Sequence, residues 1–149
     1  MRETNDNRDP KPPEPPCNGG TKHPWVQPAL WVALGSGLGG MARVVLAGVV
    51  EAGLGFRFPI GILTVNVLGS FAIGLAAGLF MTRARRAAGS NARHFIMTGL
   101  CGGFTTFSFF SLDTLRMLET GRPAAALLYS ILTLSLSLAA VWAGHRLTR

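Results

Sequence analysis

The sequence predicts an all-α integral membrane protein with four transmembrane helices, of which the third is broken near its middle. Hydrophobic residues make up 48% of the 149 residues, charged residues make up 14%, and the mean hydropathy is +0.34. The charges gather at the ends and connections of long apolar stretches, as in membrane-spanning bundles. The net charge of +7 therefore reflects membrane topology, and no nucleic-acid partner is expected. The two cysteines have neither the pattern of a disulfide framework nor metal-ligand spacing.

The chain divides into a tail, 1–25, and a membrane domain, 26–149. The tail is polar and proline-rich and has no apolar stretch, so it is expected to be disordered; a docking segment is the alternative. The first span covers about residues 29–50. Its glycines match G-x-G-x-x-G, but no strand precedes them, which favours close helix packing through Gly35 and Gly39 over a dinucleotide fold.

Arg43 is the unusual residue of the first span. It lies roughly 5 Å past the span centre, at helical rise. A charge at this depth is costly and by default faces the interior of the bundle. The alternative is that the side chain snorkels to the nearer interface. Position alone favours neither.

The second span, about residues 59–82, contains no charged residue. Its one strongly polar residue is Asn66, which shares a helix face with Ser70. A buried amide requires hydrogen-bond partners. Asn66 therefore either bridges two helices or donates its NH₂ group to an ion.

The third span, about residues 95–112, contains the predicted break. Gly102-Gly103 and Thr105-Thr106 lie near its middle, and both pairs weaken a helix. Backbone groups freed in hydrocarbon need partners in protein, water or an ion, and broken membrane helices often hold ions. The alternative is a glycine hinge packed against a neighbouring helix.

Aromatic and hydroxyl side chains follow the break. Phe107 and Phe110 are three residues apart and share a helix face, and Ser108 and Ser111 form a stripe beside them. Hydroxyls donate hydrogen bonds and aromatic edges carry partial positive charge, so the two stripes suit a small anion in a narrow, dry pore. The alternative is ordinary packing against lipid or protein.

The fourth span, about residues 123–144, starts with a proline, which suits a first helical turn. Ser130, Thr133 and Ser137 follow i, i+3, i+7 spacing and form one stripe. Beside the Phe/Ser stripe, this stripe would complete a polar track; the alternative is that its hydroxyls bond to carbonyls of their own helix. Four spans place both termini on one side, and the arginine excess of that side predicts a cytoplasmic location.

Three motifs resemble those of the Fluc (CrcB) family of fluoride channels, and together they extend over all four spans. The first is Gly39-Gly40-Met41-Ala42-Arg43, which resembles G-G-x-x-R. The second, residues 61–71, resembles G-T-L-x-V-N-x-x-G-x-F, and the third, residues 102–111, resembles G-G-x-T-T-F-S-T-F-S.

The resemblance implies a passive, fluoride-selective channel that exports cytoplasmic fluoride and lowers its toxicity. It implies a multi-pass protein of the bacterial inner (plasma) membrane, surrounded by lipid and assembled as an antiparallel, dual-topology homodimer. It also implies a structural Na⁺ at the dimer centre, held by the backbone carbonyls of Gly102 and Thr105. Arg43 matches the motif arginine. The pore positions that match the family motifs are Asn66, Phe107, Ser108 and Phe110, to which the hydroxyl stripe adds Thr133 and Ser137.

The chain departs from the family pattern at three positions. Ile62 and Phe109 stand where threonine is usual, and Asp113 stands where glutamate is usual. The arginine excess also contrasts with dual insertion. An enzyme is not expected, because no nucleophile–base pair or metal cluster is evident. The alternatives are a multidrug exporter, which would need a mid-membrane carboxylate in the first span, and a non-conducting assembly subunit.

Overall fold

A computed structural model describes residues 26–54, 58–82 and 90–148, which are mainly helical and contain no strand. The three long helices are α1 (Val26–Leu54), α2 (Ile60–Thr82) and α6 (Pro123–Leu147). The third segment consists of α3 (Ser90–Arg93), the π-helix π1 (His94–Cys101), α4 (Gly102–Phe104) and α5 (Ser108–Glu119). The predicted tail at 1–25 and the arginines at 83, 85 and 86 lie outside the described residues.

Four segments are long and apolar enough to cross a bilayer, which confirms the predicted all-α architecture with four spans. They are Val26–Gly53, Ile60–Phe80, Asn91–Glu119 and Pro123–Leu147. Most large apolar side chains on α1 and α6 face outward, as expected where lipid is the solvent.

Glycines bring α1 into direct backbone contact with the third segment. A Cβ at Gly35 would stand 2.5 Å from the Phe95 carbonyl oxygen, and one at Gly39 would contact the Leu100 carbonyl. A Cβ at Gly103, from the other side, would stand 2.5 Å from a carbonyl of α1. The predicted G-x-x-x-G packing is therefore confirmed. The dinucleotide alternative fails because these glycines lie inside one continuous helix.

The second pair of closely packed helices is α2 with α6. A Cβ at Gly74 would contact the Val141 carbonyl, and one at Gly144 would contact the Phe71 carbonyl. Small residues at both contacts let the two backbones approach, which is the usual way in which apolar helices associate in lipid. This pair carries Asn66 on one helix and Thr133 on the other, and so fixes the two sides of the site.

A tight turn reverses the chain between α5 and α6. Gly121 has a φ of 71°, a left-handed conformation that favours glycine, and Pro123 occupies the first turn of α6. The Arg122 amide donates to the Met117 carbonyl at 2.8 Å, which closes the end of α5. The turn makes α5 and α6 antiparallel neighbours.

The third segment leaves helical geometry at Thr105, whose φ and ψ are −75° and 155°. The interruption includes Thr106 and ends at Phe107, which precedes α5. Gly102-Gly103, expected to weaken the helix, stays helical because Gly103 is packed against α1. The extended backbone falls on Thr105 instead, where β-branching disfavours helix.

Candidate functional site

Asn66 joins α2 to the interruption in the third segment. Its Nδ2 donates to the Thr106 carbonyl at 3.0 Å, and the Thr106 amide donates to its Oδ1 at 2.8 Å. Asn66 is only 8% exposed and Thr106 is 7% exposed, so this paired contact is buried. The bridging role considered for Asn66 is therefore present. The amide group carries two N–H donors, and this contact uses one of them.

The interruption removes the helical partners of several backbone carbonyls, among them those of Gly102 and Thr105. In a continuous helix the Thr106 amide would donate to the Gly102 carbonyl, and the Phe109 amide would donate to the Thr105 carbonyl. The Thr106 amide instead donates to Asn66, and the Phe109 amide lies 3.4 Å from the Thr106 hydroxyl oxygen. Gly102 and Thr105 are the two residues whose carbonyls would hold Na⁺ according to the family resemblance.

The donor chemistry of these two residues fits a monovalent alkali cation, because unwound backbone carbonyls are typical Na⁺ ligands in membrane proteins. No group of three His, Cys, Asp or Glu residues able to hold a metal is found within 26–54, 58–82 and 90–148. The open space around Gly102, where an added Cβ would meet only one atom at 4.0 Å, leaves its backbone accessible.

Arg43 points from α1 toward the interruption. Its Nη1 lies 3.4 Å from the Thr105 carbonyl oxygen, and its guanidinium carbon lies 5.5 Å from the centre of the Phe109 ring. Its Nε is buried and has no hydrogen-bond partner among the described residues. Of the two orientations considered, the inward one is the one adopted. A positive charge thus stands beside the released Thr105 carbonyl.

A cleft of about 300 Å³ lies between α2, the interruption and α6. We call it the hydroxyl cleft. It is lined by every predicted pore residue except Ser108, namely Asn66, Phe107, Phe110, Thr133 and Ser137. The hydroxyls of Thr133 and Ser137 are buried and lack hydrogen-bond partners among the described residues. Two donors are therefore available to a bound species.

The Phe107 and Phe110 rings stand together at this cleft, with centroids 5.6 Å apart and planes tilted by 40°. Phe107 lies in the interruption itself, not on α5, and 76% of it is exposed. Phe110 is half-buried and contacts Tyr129, with centroids 5.3 Å apart. The predicted proximity of the two rings on one helix face is present, because Phe107 directly precedes α5 with helical backbone angles (φ −91°, ψ −31°) and its carbonyl accepts from the Ser111 amide at 2.9 Å.

The other hydroxyls near the site are mostly occupied. Ser108 lies outside the cleft lining, and its hydroxyl is 3.1 Å from the Thr106 hydroxyl. The hydroxyls of Ser111 and Ser130 donate to the carbonyls of Phe107 and Ala126, four residues earlier. The hydroxyl stripe of α6 therefore divides: Ser130 bonds its own helix, and Thr133 and Ser137 face the cleft.

Two residues of the site escaped the sequence argument. Thr106 holds the interruption against Asn66 and orients Ser108, and no sequence pattern pairs it with a residue 40 positions away. Tyr129 is fully buried, and its hydroxyl has no hydrogen-bond partner in the described part of the chain. Tyr129, Thr133 and Ser137 follow i, i+4, i+8 spacing, and this helical period is the sequence pattern that places Tyr129 on the same face as the two hydroxyls.

The departures from the family pattern have separate surroundings. Ile62 is 6% exposed and packs with Ala47 and Val65, so its side chain fills apolar space. Phe109 is 45% exposed and contacts Arg43. Asp113 lies 3.9 Å from Arg116, which is the pairing expected from their spacing of three residues.

Comparison with known proteins gives a consistent result over the membrane domain. Residues 30–145 match the sequence profile of the family described as "CrcB-like protein, Camphor Resistance (CrcB)". A protein of Opitutus terrae named "Fluoride-specific ion channel FluC" is 48% identical over 116 residues, which is 78% of this chain and 88% of the relative. Proteins with the same name from Methylocella silvestris and Nitrobacter winogradskyi are 46% and 44% identical, and they cover 78% and 80% of this chain. The matched parts are 88% and 94% of those relatives.

Proposed function

The chain belongs to the CrcB-like family, and we propose that it is a passive, fluoride-selective ion channel that exports cytoplasmic fluoride and lowers its toxicity. The names of its relatives support this function, as does the chemistry of the hydroxyl cleft. Fluoride enters acidified cells as neutral HF and ionises inside, so an export path protects cytoplasmic enzymes. Conduction of this kind needs no covalent step, and the chain is not proposed to be an enzyme.

The observation that carries the proposal is the pairing of unpartnered hydroxyls with aromatic rings in one cleft. Fluoride is small and strongly hydrated, so a protein that conducts it must replace the lost water with donors. The Thr133 and Ser137 hydroxyls are available donors, and the Phe107 and Phe110 rings present polarised C–H edges. Selectivity against chloride follows from the small width of such a route and from its donors.

The remaining site residues take supporting roles in this account. Asn66 fixes the interruption through Thr106 and keeps one N–H for the ion. Ser108 acts through its contact with the Thr106 hydroxyl. Arg43 supplies positive charge close to the interruption, and this charge favours an anion.

We also propose an antiparallel, dual-topology homodimer in the bacterial inner (plasma) membrane, with the interruption near mid-depth. The four membrane-spanning segments support a multi-pass protein. The cleft opens at the surface of the single chain beside Phe107, of which 76% is exposed. Polar groups and interrupted backbone require protein or water around them within a bilayer. A second copy covering this side would provide that enclosure and complete two pores.

A Na⁺ at the centre of this dimer would be held by the Gly102 and Thr105 carbonyls of both subunits. Such an ion supplies fixed positive charge near the pores without lining them. Within the chain, Arg43 and the cation would both draw on the Thr105 oxygen, which has two lone pairs.

Replacement of the Thr133 hydroxyl tests the proposal. Thr133→Val keeps the branched shape and removes the donor, so fluoride efflux from liposomes should fall. A hydrogen bond to a charged group contributes about 1.5–3 kcal/mol, which corresponds to a slowing of roughly tenfold to a hundredfold. Ser135→Ala is the matched control, since Ser135 lies on the same helix but is exposed. Unchanged efflux in Thr133→Val, or equal slowing in both variants, would contradict the role of the cleft.

A further inference from the structure

A second cavity, also of about 300 Å³, lies near the connection between α5 and α6. We call it the charged pocket, because its walls carry side chains of both signs: Glu51, Asp113, Arg116 and Arg122. Phe58, Pro59 and Met117 also line it. None of the predicted pore residues lines this pocket. The lining of the hydroxyl cleft therefore does not show which way an ion continues beyond the cleft.

A buried apolar cluster separates the two cavities. Its centre consists of Met117, Ala126 and Tyr129, which are 5%, 3% and 0% exposed. Phe58 and Phe110 pack against this centre from two sides. Phe58 and Met117 line the charged pocket, and Phe110 lines the hydroxyl cleft. The cluster thus borders both cavities.

Along each of three helices, residues of the charged pocket lie at one end, residues of the cluster follow, and residues of the hydroxyl cleft lie at the other end. The residues in this order are Phe58, Leu63 and Asn66 at α2, Met117 and Phe110 on α5, and Arg122, Tyr129 and Thr133 at α6. Because three elements agree in this order, the two cavities lie along one direction with the cluster between them.

Aromatic rings form a continuous row along this direction. The ring centroids are 5.6 Å apart between Phe107 and Phe110, 5.3 Å between Phe110 and Tyr129, and 5.5 Å between Tyr129 and Phe58. The Phe58 and Tyr129 planes meet at 89°, so the edge of one ring meets the face of the other. Phe58 is the last ring of this row, at the charged pocket.

We infer that Phe58 and Met117 form an apolar seal between the hydroxyl cleft and the charged pocket, and that Phe58 thereby sets anion selectivity at this end of the route. The inference rests on the proposed function for its ion. Close-packed apolar side chains exclude a continuous water column, and such constrictions control which ions cross. An ion that passes the seal must shed its water, and the Tyr129 hydroxyl and the ring edges are the polarised groups that this cluster presents. Chloride is larger than fluoride and is held back by the same narrow contact.

Removal of the Phe58 ring should open the seal. The readout is the rate at which a water-soluble thiol reagent modifies Thr133→Cys in the crosslinked dimer in detergent, with Cys17 and Cys101 replaced, because the second copy then covers the open side of the hydroxyl cleft. Phe58→Ala should raise this rate at least threefold, whereas Phe58→Leu, which nearly conserves volume, should leave it within twofold.

Phe95→Ala is the matched control, because the Phe95 ring meets Trp31 at 87° with centroids 6.1 Å apart, outside both cavities. Met117→Ala removes the other half of the seal and should raise the modification rate by a similar factor. This variant also tests the seal if Phe58→Ala does not fold.

A rate rise below threefold in both alanine variants of the seal overturns the inference, as does an equal rise in Phe95→Ala or Phe58→Leu. The second readout is efflux from liposomes, in which Phe58→Ala should lower the ratio of fluoride to chloride efflux about tenfold. An unchanged ratio overturns the selectivity role. A dimeric parent protein that conducts no fluoride contradicts the proposed function, and the thiol readout on that dimer still reports on the seal.

Discussion

Phe110→Leu distinguishes a ring that contacts the ion from a ring that fills space. The Phe110 ring lies 5.6 Å from Phe107 and 5.3 Å from Tyr129, centroid to centroid, at the point where the hydroxyl cleft meets the apolar cluster. Leucine nearly conserves the volume, and such swaps usually cost less than about 1.5 kcal/mol of stability. Loss of two aromatic pairs adds about 0.5–1.5 kcal/mol each. The variant should therefore fold and assemble.

The effect on flux should be larger than the effect on assembly. A contact between a polarised C–H group and an acceptor is worth about 0.5–1 kcal/mol, so its loss should slow fluoride efflux roughly 2- to 5-fold. Phe109→Leu is the control, because Phe109 is 45% exposed and does not line the cleft. Efflux is measured with a fluoride electrode on liposomes, and dimer content is measured by crosslinking in the same preparations. Equal slowing in the two variants, or slowing that follows loss of dimer, would refute ion contact by Phe110.

Two further predictions address the assembly. Replacing Na⁺ with a large organic cation during purification should lower both the crosslinked dimer fraction and the fluoride efflux, because the Gly102 and Thr105 carbonyls lose the cation between them. If the dimer fraction and the efflux are both unchanged in Na⁺-free protein, the proposal of a central cation is wrong. A cysteine introduced near Arg149 should be labelled in part from each side of the membrane in intact cells, as antiparallel insertion requires. Labelling of every copy from one side would exclude the antiparallel homodimer and favour a paralogue as the second subunit.

Local sequence patterns were enough to predict the four spans and the close backbone contact of α1 with the third segment. Apolar runs set the spans, and the spacing of Gly35 and Gly39 predicted the contact of α1 with the third segment. The interruption was predicted within the right stretch, but its position on Thr105 and not on the glycines depends on packing of Gly103 against α1. A single helix does not contain that information.

The contacts that build the site are long-range, and the sequence left them open. Arg43 was equally consistent with snorkelling and with an inward direction, and only the third segment, which supplies the Thr105 carbonyl, decides between them. Asn66 needed a partner that its own helix could not identify, namely Thr106. Phe58 precedes α2 in a connection, where no periodicity applies, and its contact with Tyr129 joins distant parts of the chain.

The central claim is tested most directly by fluoride and chloride efflux from liposomes that contain only this protein. The account predicts rapid fluoride efflux and chloride efflux no greater than that of protein-free liposomes. Chloride efflux as fast as fluoride efflux, or no efflux of either anion from protein that is folded and dimeric, would contradict it.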